Sequence, residues 1–355
     1  MNKIETKGIR YLGSKNKIIP LIIEVVESLG LPDKNIIDVF TGTTRVAQAF
    51  KSVGYEVLTS DLSWASEAYS HAFVCNDGNV SHLQKHIDDL NSLTGAAGWL
   101  TEHYCNGTAL KRDGSVATIQ VWKPKNGMKA DAIRDHIETM NVEPWEKMYL
   151  ITSLIFALDK IDNTVGLQQA YLKGWKSDRV DKDLELKLLP SFKGIGGKHI
   201  VGDALKIEYP EMSVAYLDPP YTAADYSTYY HIWDSIVRWD KPDVGLSTNR
   251  RIDRVKSGQH RDAAMKSPWY SKKTALSATK DLIDRLPVSY CVFSYSDEGL
   301  ISYDEMEELC KQYKSYKFHQ QAHKRHVMSR TGAGGTEAEK AAKKKNIEYV
   351  IVIEK

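Results

Sequence analysis

Hydrophobic positions fall into two alternating rhythms along the chain. At 17–30, "KIIPLIIEVVESLG" places apolar residues at helical spacing and closes on Gly30, which predicts an amphipathic helix with a glycine stop. "KNIIDVF" (34–40) is an apolar run of strand length. The turn "TGTT" (41–44) follows, and then "RVAQAFKSVG" (45–54), a helix stopped by Gly54. "YEVLTSDL" (55–62) predicts a second strand and "SWASEAYSHAFVCN" (63–76) another helix. This β-α-β-α order opens a doubly wound parallel sheet.

The rhythm breaks between 77 and 195. The stretch 107–129 is polar and irregular, and helical spacing returns at 130–141 and 144–162. Alternation resumes with "GKHIVGDALKI" (197–207) and the strand "EMSVAYL" (211–217). A helix at 281–287, a strand at 288–297, a helix at 302–313 and a closing strand at 346–355 complete the pattern. The glycine- and lysine-rich stretch 330–345 reads as mobile. The expected fold class is α/β, a Rossmann-like, doubly wound, mostly parallel sheet. One catalytic domain is expected over 1–76 and 196–355, interrupted by a largely helical insertion over 77–195.

Composition changes this picture little. The 355 residues are 42% hydrophobic and 26% charged, as in ordinary globular chains. No apolar run approaches the about 20 residues that span a bilayer. The start, "MNKIETKGIRY", lacks the apolar core of a secretory leader. Four cysteines without a C-x-x-C pair are expected to be reduced thiols in a cytoplasmic protein, and no metal site is expected. The net charge of +2 demands no polyanionic partner, but basic clusters at 249–261, 323–330 and 340–345 make a polyanion-binding face plausible.

The chemistry concentrates at "YLDPPY" (216–221), where an apolar strand ends in a carboxylate, two prolines and a tyrosine. Each proline removes a backbone donor and fixes φ. Pro220 also pushes Pro219 out of the helical region. The product is a stiff, extended corner with exposed carbonyls, although Asp and Pro also make plain strand-ending turns. Upstream, Asp38 and Asp61 end successive strands 23 residues apart, near the about 20 expected of a ribose-binding acid in a nucleotide-binding βαβ unit. The intervening "GTTRVA" holds one glycine, so the G-x-G-x-x-G of a dinucleotide site is missing. No G-K-[ST] marks a phosphate loop. S-adenosylmethionine, an adenosine without phosphates, suits one close backbone approach and one ribose acid; a generic βαβ unit with a glycine turn reads the same way.

Five motifs stand in order: "RYLGSK" (10–15), "DVFTGTT" (38–44), "SDL" (60–62), "GDA" (202–204) and "DPPY" (218–221). With them the sequence resembles the adenine-N6 DNA methyltransferases of the Dam-like type. The resemblance implies that S-adenosylmethionine is contacted by Tyr11 and Lys15 of the first motif, by Asp38, Phe40 and Gly42 of the second, by Asp61 (the ribose acid) and Leu62, by Asp203 and Ala204, and by Asp218. It implies that Asp218 and the Pro219 carbonyl accept from the adenine amine while Tyr221 stacks on the extruded base. It places target recognition in 77–195 and makes double-stranded DNA the partner, with a cognate restriction endonuclease as a possible second one. One departure is Thr44, which stands where the family has a second glycine.

Other readings stay open at this point. Another planar amine could be the acceptor, such as cytosine N4, guanine N2 in RNA or a glutamine amide, but these classes often carry Ser-Pro-Pro or Asn-Pro-Pro at the corner. A DNA-binding module without catalysis and a NAD-linked oxidoreductase are further alternatives. Tyr226, Tyr229, Tyr230 and Trp233 suit either a base pocket or a core. The basic stretches 249–261 and 323–345 are candidates for phosphate contacts, and "KRDG" (111–114) and "WKPKNG" (122–127) offer donors for base reading.

Overall fold

The computed structural model describes residues 4–105, 107–111, 113–168, 174–175, 178–221, 225–247, 249–254, 267–324 and 345–355. A 3-10 turn, Lys15–Lys17, leads into α1 (Ile19–Glu27), whose Pro20 sits in the first turn, where a missing N–H costs little. Next come β1 (Asn35–Val39), α2 (Arg45–Ser52), β2 (Glu56–Asp61) and α3 (Trp64–Ser70), which runs on into one π-helical turn, His71–Cys75. The middle of the chain holds α4 (Gln84–Ser92), the hairpin β3 (Thr108–Leu110) and β4 (Val116–Thr118), α5 (Pro124–Thr139) and α6 (Pro144–Ile161). Then follow β5 (Lys198–Val201), β6 (Met212–Leu217), α7 (Tyr226–Tyr229), α8 (His231–Arg238) and α9 (Lys272–Arg285). The chain ends with β7 (Val288–Ser296), α10 (Tyr303–Cys310), β8 (Ser315–Lys324) and β9 (Lys345–Glu354). No described helix is long and apolar enough to cross a membrane, and all four cysteines are free.

Two compact units share the chain. One comprises 1–16, 41–203 and 225–266; the other comprises 17–40, 204–224 and 267–355. The second unit carries the strand order β1-β6-β7-β9-β8. β1, β6 and β7 are mutually parallel, and β9 runs antiparallel to both β7 and β8. Val214–Leu217 of β6 are all buried, the continuous apolar run of a strand covered on both faces. α1 packs against β9 and α10 against α9. The first unit holds the parallel pair β2–β5, the β3–β4 hairpin and α2 to α8. Its core is α6, which packs on α3, α5 and α8 and buries Tyr149–Ile155 without a break.

This is the mixed α/β, mostly parallel architecture that the periodicity predicts. Several elements differ in extent or were not expected: α4, α7 and α8 are additional helices, α9 begins at Lys272 rather than 281, and α5, the β3–β4 hairpin and β8 differ as follows. α5 begins at Pro124 rather than 130, because its first turns bury Asn126 and Gly127 instead of apolar residues. A Cβ on Gly127 would lie 2.1 Å from the Cys105 sulfur, so only glycine fits there. The irregular stretch before it contains the β3–β4 hairpin. β8 was unexpected; it is the last strand in its order and exposes most of Ser315–Gln320, so it shows no apolar alternation. The stretch 330–345 lies outside the described residues except for Lys345.

α2 begins from an unusual loop. Phe40, Gly42 and Thr44 all have left-handed φ, at 66°, 52° and 59°. Thr44 thus adopts the conformation that a glycine would take freely, at a cost of about 1–2 kcal/mol for a residue with a Cβ. Three bonds hold it there. Its N–H donates to the Thr41 carbonyl (2.8 Å), its carbonyl accepts from the Gln48 N–H (2.8 Å), and its hydroxyl accepts from Gln48 Nε2 (2.9 Å). Gln48 Nε2 also donates to the Lys7 carbonyl, and Gln48 Oε1 accepts the Lys7 N–H, tying the N-terminal segment to α2. At the other end of α2 the buried Lys51 amine donates to the carbonyls of Phe73 and Asn76, fastening the helix to the π-helical turn. Burial pulls the Lys51 pKa down to about 8.

Two outcomes are expected. Thr44→Gly should unfold no more easily than the parent, because the relieved strain offsets the lost hydroxyl contact and Gln48 keeps its bonds to Lys7. Thr44→Val, which keeps the branch and loses the hydroxyl, should cost about 1–2 kcal/mol in denaturant unfolding. Lys51 titrates below its unfolded value of 10.5, so between pH 8 and 10.5 the unfolded chain binds more protons and stability gains with rising pH. Comparing urea midpoints at the two ends of that window, Lys51→Met should show a smaller gain than the parent.

Candidate active site

In the second unit, β6 delivers the DPPY corner. Tyr216 is level with Asp38 on β1, and Leu217 is level with Phe293 on β7, so Asp218 and Ser294 come side by side at the strand ends. The Ser294 hydroxyl donates to Asp218 Oδ1 (3.2 Å) and accepts from the Tyr216 hydroxyl (3.0 Å). Burial first, and then the Asp218 charge, push the Tyr216 pKa well above its ordinary value, so it remains a donor. Pro219 is buried and Pro220 half-buried. The Tyr221 carbonyl accepts from the Leu300 N–H (3.0 Å), and its ring meets Tyr295 edge-on at 5.8 Å. Tyr295 is itself fixed, because its hydroxyl accepts from the Ile301 N–H (2.9 Å) and Gly299 leaves no room for a Cβ against its ring. Asp38 is buried on β1, Ala204 is buried, and Phe40 lies edge-on to Trp269 at 4.9 Å.

In the first unit, β2 ends at Asp61. Its Oδ2 accepts the Gly42 N–H and its Oδ1 the Ser63 N–H, each at 2.8 Å. Burial pushes the Asp61 pKa up, and these backbone donors oppose the shift. Asp234 of α8 stands near, with Oδ1 accepting from the Ser63 hydroxyl (2.7 Å) and the Ala65 N–H (3.1 Å) at the start of α3. The parallel pairing sets Asp61 level with Val201, and the Gly202 N–H donates to the Asp61 carbonyl (2.9 Å). The half-buried Asp203 therefore follows directly beside the end of β2.

The N-terminal motif is held in place from several sides. The Tyr11 ring stacks on Tyr230 at 4.5 Å and lies 5.7 Å from Tyr226. The Leu12 N–H donates to the Tyr230 hydroxyl (2.8 Å). Arg10 donates to Asp159 and Asp162 at the end of α6, and Arg179 donates to the same Asp162. The Arg45 guanidinium donates to the carbonyls of Thr6 (3.0 Å) and Gly8 (2.9 Å). A Cβ built on Gly42 would lie 3.5 Å from the Tyr11 ring, so a bare backbone faces the aromatic. Lys15 is buried in the 3-10 turn that follows.

These residues fit a nucleoside. The Asp61 carboxylate takes backbone donors from Gly42, Ser63 and Leu62, and a carboxylate has about four acceptor positions, which leaves room for a ribose hydroxyl. One glycine gives close backbone approach, and a pinned aromatic stands over it. The fold thus brings Tyr11, Gly42, Asp61, Leu62 and Asp203 together in one unit, and Asp38, Phe40, Ala204, Asp218, Pro219 and Tyr221 belong to the other. Ser294, Tyr295, Asp234 and the Arg10–Asp159–Asp162 cluster were not found from the sequence. Ser294 left one signal, a small polar residue between two aromatics in "VFSY" (292–295).

The polar candidates for DNA contacts divide. Arg251 is buried and committed, bidentate to Asp240 at 2.8 Å and also paired with Asp253, so it is withdrawn from any phosphate role. "WKPKNG" runs from the N-cap side into the first turn of α5, which begins at Pro124; Trp122 is fully buried, and Lys123 and Lys125 pair with Asp181 and Asp183. Lys111 is exposed at the β3–β4 turn. Residues 255–261 and 325–344 lie outside the described residues. Of the aromatics, Tyr230 and Trp233 are buried, while Tyr226 and Tyr229 are half-buried.

A family model for D12 class N6 adenine-specific DNA methyltransferases matches residues 11–327. The chain is 27% identical to Type II methyltransferase M.NlaIII of Neisseria lactamica, over 97% of this chain and 99% of that protein. It is 26% identical to Modification methylase LlaI of Lactococcus lactis subsp. lactis, over 86% of this chain and 49% of that protein. It is 27% identical to Modification methylase StsI of Streptococcus sanguinis, over 86% of this chain and 46% of that protein. It therefore spans nearly all of the first relative and about half the length of the other two. The matched span takes in every motif from Tyr11 through the DPPY corner, and the chain belongs to the D12 class of N6 adenine-specific DNA methyltransferases.

Proposed function

We propose that this protein is the modification enzyme of a restriction–modification system, methylating N6 of an adenine at a specific site in double-stranded DNA. What carries the reading is the corner at the end of β6. A carboxylate bonded to Ser294 is followed by two residues that have no N–H, so the corner offers only acceptors. Adenine's exocyclic amine is a weak nucleophile because its lone pair is delocalised into the ring. It carries two N–H donors, one of them used in pairing. Asp218 and the Pro219 carbonyl accept one hydrogen each and favour a more pyramidal nitrogen. The prolines preset both acceptors, so little reorganisation is needed. The amine cannot be reached inside the duplex, so the base is extruded. Tyr221, propped by Tyr295, stacks on it, a contact worth about 1–3 kcal/mol.

S-adenosylmethionine, when bound, supplies an electrophilic methyl group on a positive sulfonium. Tyr11, Lys15, Gly42, Asp61, Leu62 and Asp203 in the first unit, and Asp38, Phe40, Ala204 and Asp218 in the second, are the residues assigned to it. Asp61 accepts from the ribose hydroxyls. Within a catalytic domain of 1–76 and 196–355, the insertion 77–195 carries target recognition, with Lys111 on the β3–β4 turn as one exposed cation. A cognate endonuclease sharing the site and a cytoplasmic location alongside DNA complete the proposal. The relatives' names as modification methylases support it.

Incubation with long unmethylated duplex DNA and labelled S-adenosylmethionine, followed by nucleoside digestion, should yield N6-methyladenine; label in any other nucleoside would refute the proposal. Asp218→Ala should lower kcat by about 100-fold or more with the fold intact by circular dichroism. Tyr221→Ala should lose more activity than Tyr221→Phe or Tyr221→Trp, which keep a stacking face.

A further inference from the structure

We infer that Ser294 and Tyr216 are positioning residues for the reaction, aiming the Asp218 carboxylate through a two-hydroxyl relay. The inference rests on the role proposed for Asp218. Its geometry lies within one unit: Tyr216 hydroxyl to Ser294 hydroxyl, 3.0 Å, and Ser294 hydroxyl to Asp218 Oδ1, 3.2 Å. Ser294 has no exposed surface and sits on β7 between Phe293 and Tyr295, where packing alone would favour an apolar residue. Tyr216 is likewise buried on β6, two residues before Asp218 and so on the same face of the strand.

The relay has a direction. Tyr216 keeps its proton, because burial and the nearby Asp218 charge both disfavour the phenolate. It therefore donates to Ser294, whose own proton is left for the carboxylate. Each bond in such a chain strengthens the next. A carboxylate free to rotate about its last torsion would present an acceptor in many directions. Bonded at Oδ1 to a fixed strand serine, it presents one orientation to the amine. Both hydroxyls are buried, so both act through Asp218.

The test compares Ser294→Ala, Tyr216→Phe, the double variant and Ser294→Thr in the full chain, with Asp218→Ala as reference. Steady-state kinetics on long unmethylated duplex DNA are read together with thermal midpoints. Ser294→Ala should lower kcat about tenfold, with KM for DNA and for S-adenosylmethionine unchanged, as expected for losing a hydrogen bond to a charged group. It should also lower the midpoint, because the Tyr216 hydroxyl is left unmatched. The double variant removes both hydroxyls, so its midpoint should recover towards the parent while its kcat stays at the Ser294→Ala level. Tyr216→Phe alone should cost less than Ser294→Ala, and Ser294→Thr, which keeps the hydroxyl, should retain most of kcat. Unchanged kcat in Ser294→Ala beside an inactive Asp218→Ala would overturn the relay and leave the reading of the corner intact. Recovery of kcat together with the midpoint in the double variant would also overturn it, showing a role in stability alone. Normal turnover by Asp218→Ala would overturn both.

Discussion

The hydrogen bond between Ser294 and Asp218 joins the core of the sheet to the corner proposed to receive the adenine amine. β6 brings four buried residues, Val214–Leu217, to the edge of the core and ends in a carboxylate. To accept from an amine as proposed, a carboxylate there has to be aimed without being neutralised. The register of β6 on β7 sets a serine level with it, and a buried tyrosine holds that serine. The two prolines then turn the chain without adding a donor that would compete for the acceptors. Strand pairing, a serine in an apolar run and a proline corner thus serve one end, a fixed acceptor.

The first unit applies the same logic with different parts. Asp61 accepts the Gly42 N–H, so the acid at the end of β2 shapes the glycine loop beside it. Thr44 holds a left-handed conformation that its β-branch resists, and Gln48 accounts for this, since it bonds both Thr44 and Lys7. The segment that carries Tyr11 is held by Arg45 and Gln48 of α2, by Asp159 and Asp162 at the end of α6, and by Tyr230 before α8. α6 lies within the stretch assigned to target recognition, and Asp159 and Asp162 at its end hold Arg10 beside the motif assigned to the cofactor.

The parts legible in the sequence were those whose chemistry is contiguous. The DPPY corner, the Gly42 loop, Asp61 and the β-α-β-α opening each sit in a few adjacent residues. Ser294 was not legible as Asp218's partner, because the two lie 76 residues apart and meet only through strand register. Tyr230 and Leu12 are 218 residues apart, and their contact depends on the packing of helices that a single sequence does not display. α5 was read short because its first turns bury glycine and asparagine, and β8 was missed because an edge strand carries little apolar alternation. Arg251 and Lys125 read as open basic charge, yet each has an acidic partner. Charge runs show composition, while availability depends on the fold.

The corner at Asp218 and Pro219 is proposed to receive the adenine amine. A crystal structure with a non-reactive cofactor analogue and duplex DNA carrying the unmethylated target adenine tests this directly. The expected result is an extruded adenine whose N6 lies about 2.7–3.2 Å from an Asp218 carboxylate oxygen and from the Pro219 carbonyl. An adenine left in the stack, or held at N6 by other groups with Asp218 out of reach, would contradict it.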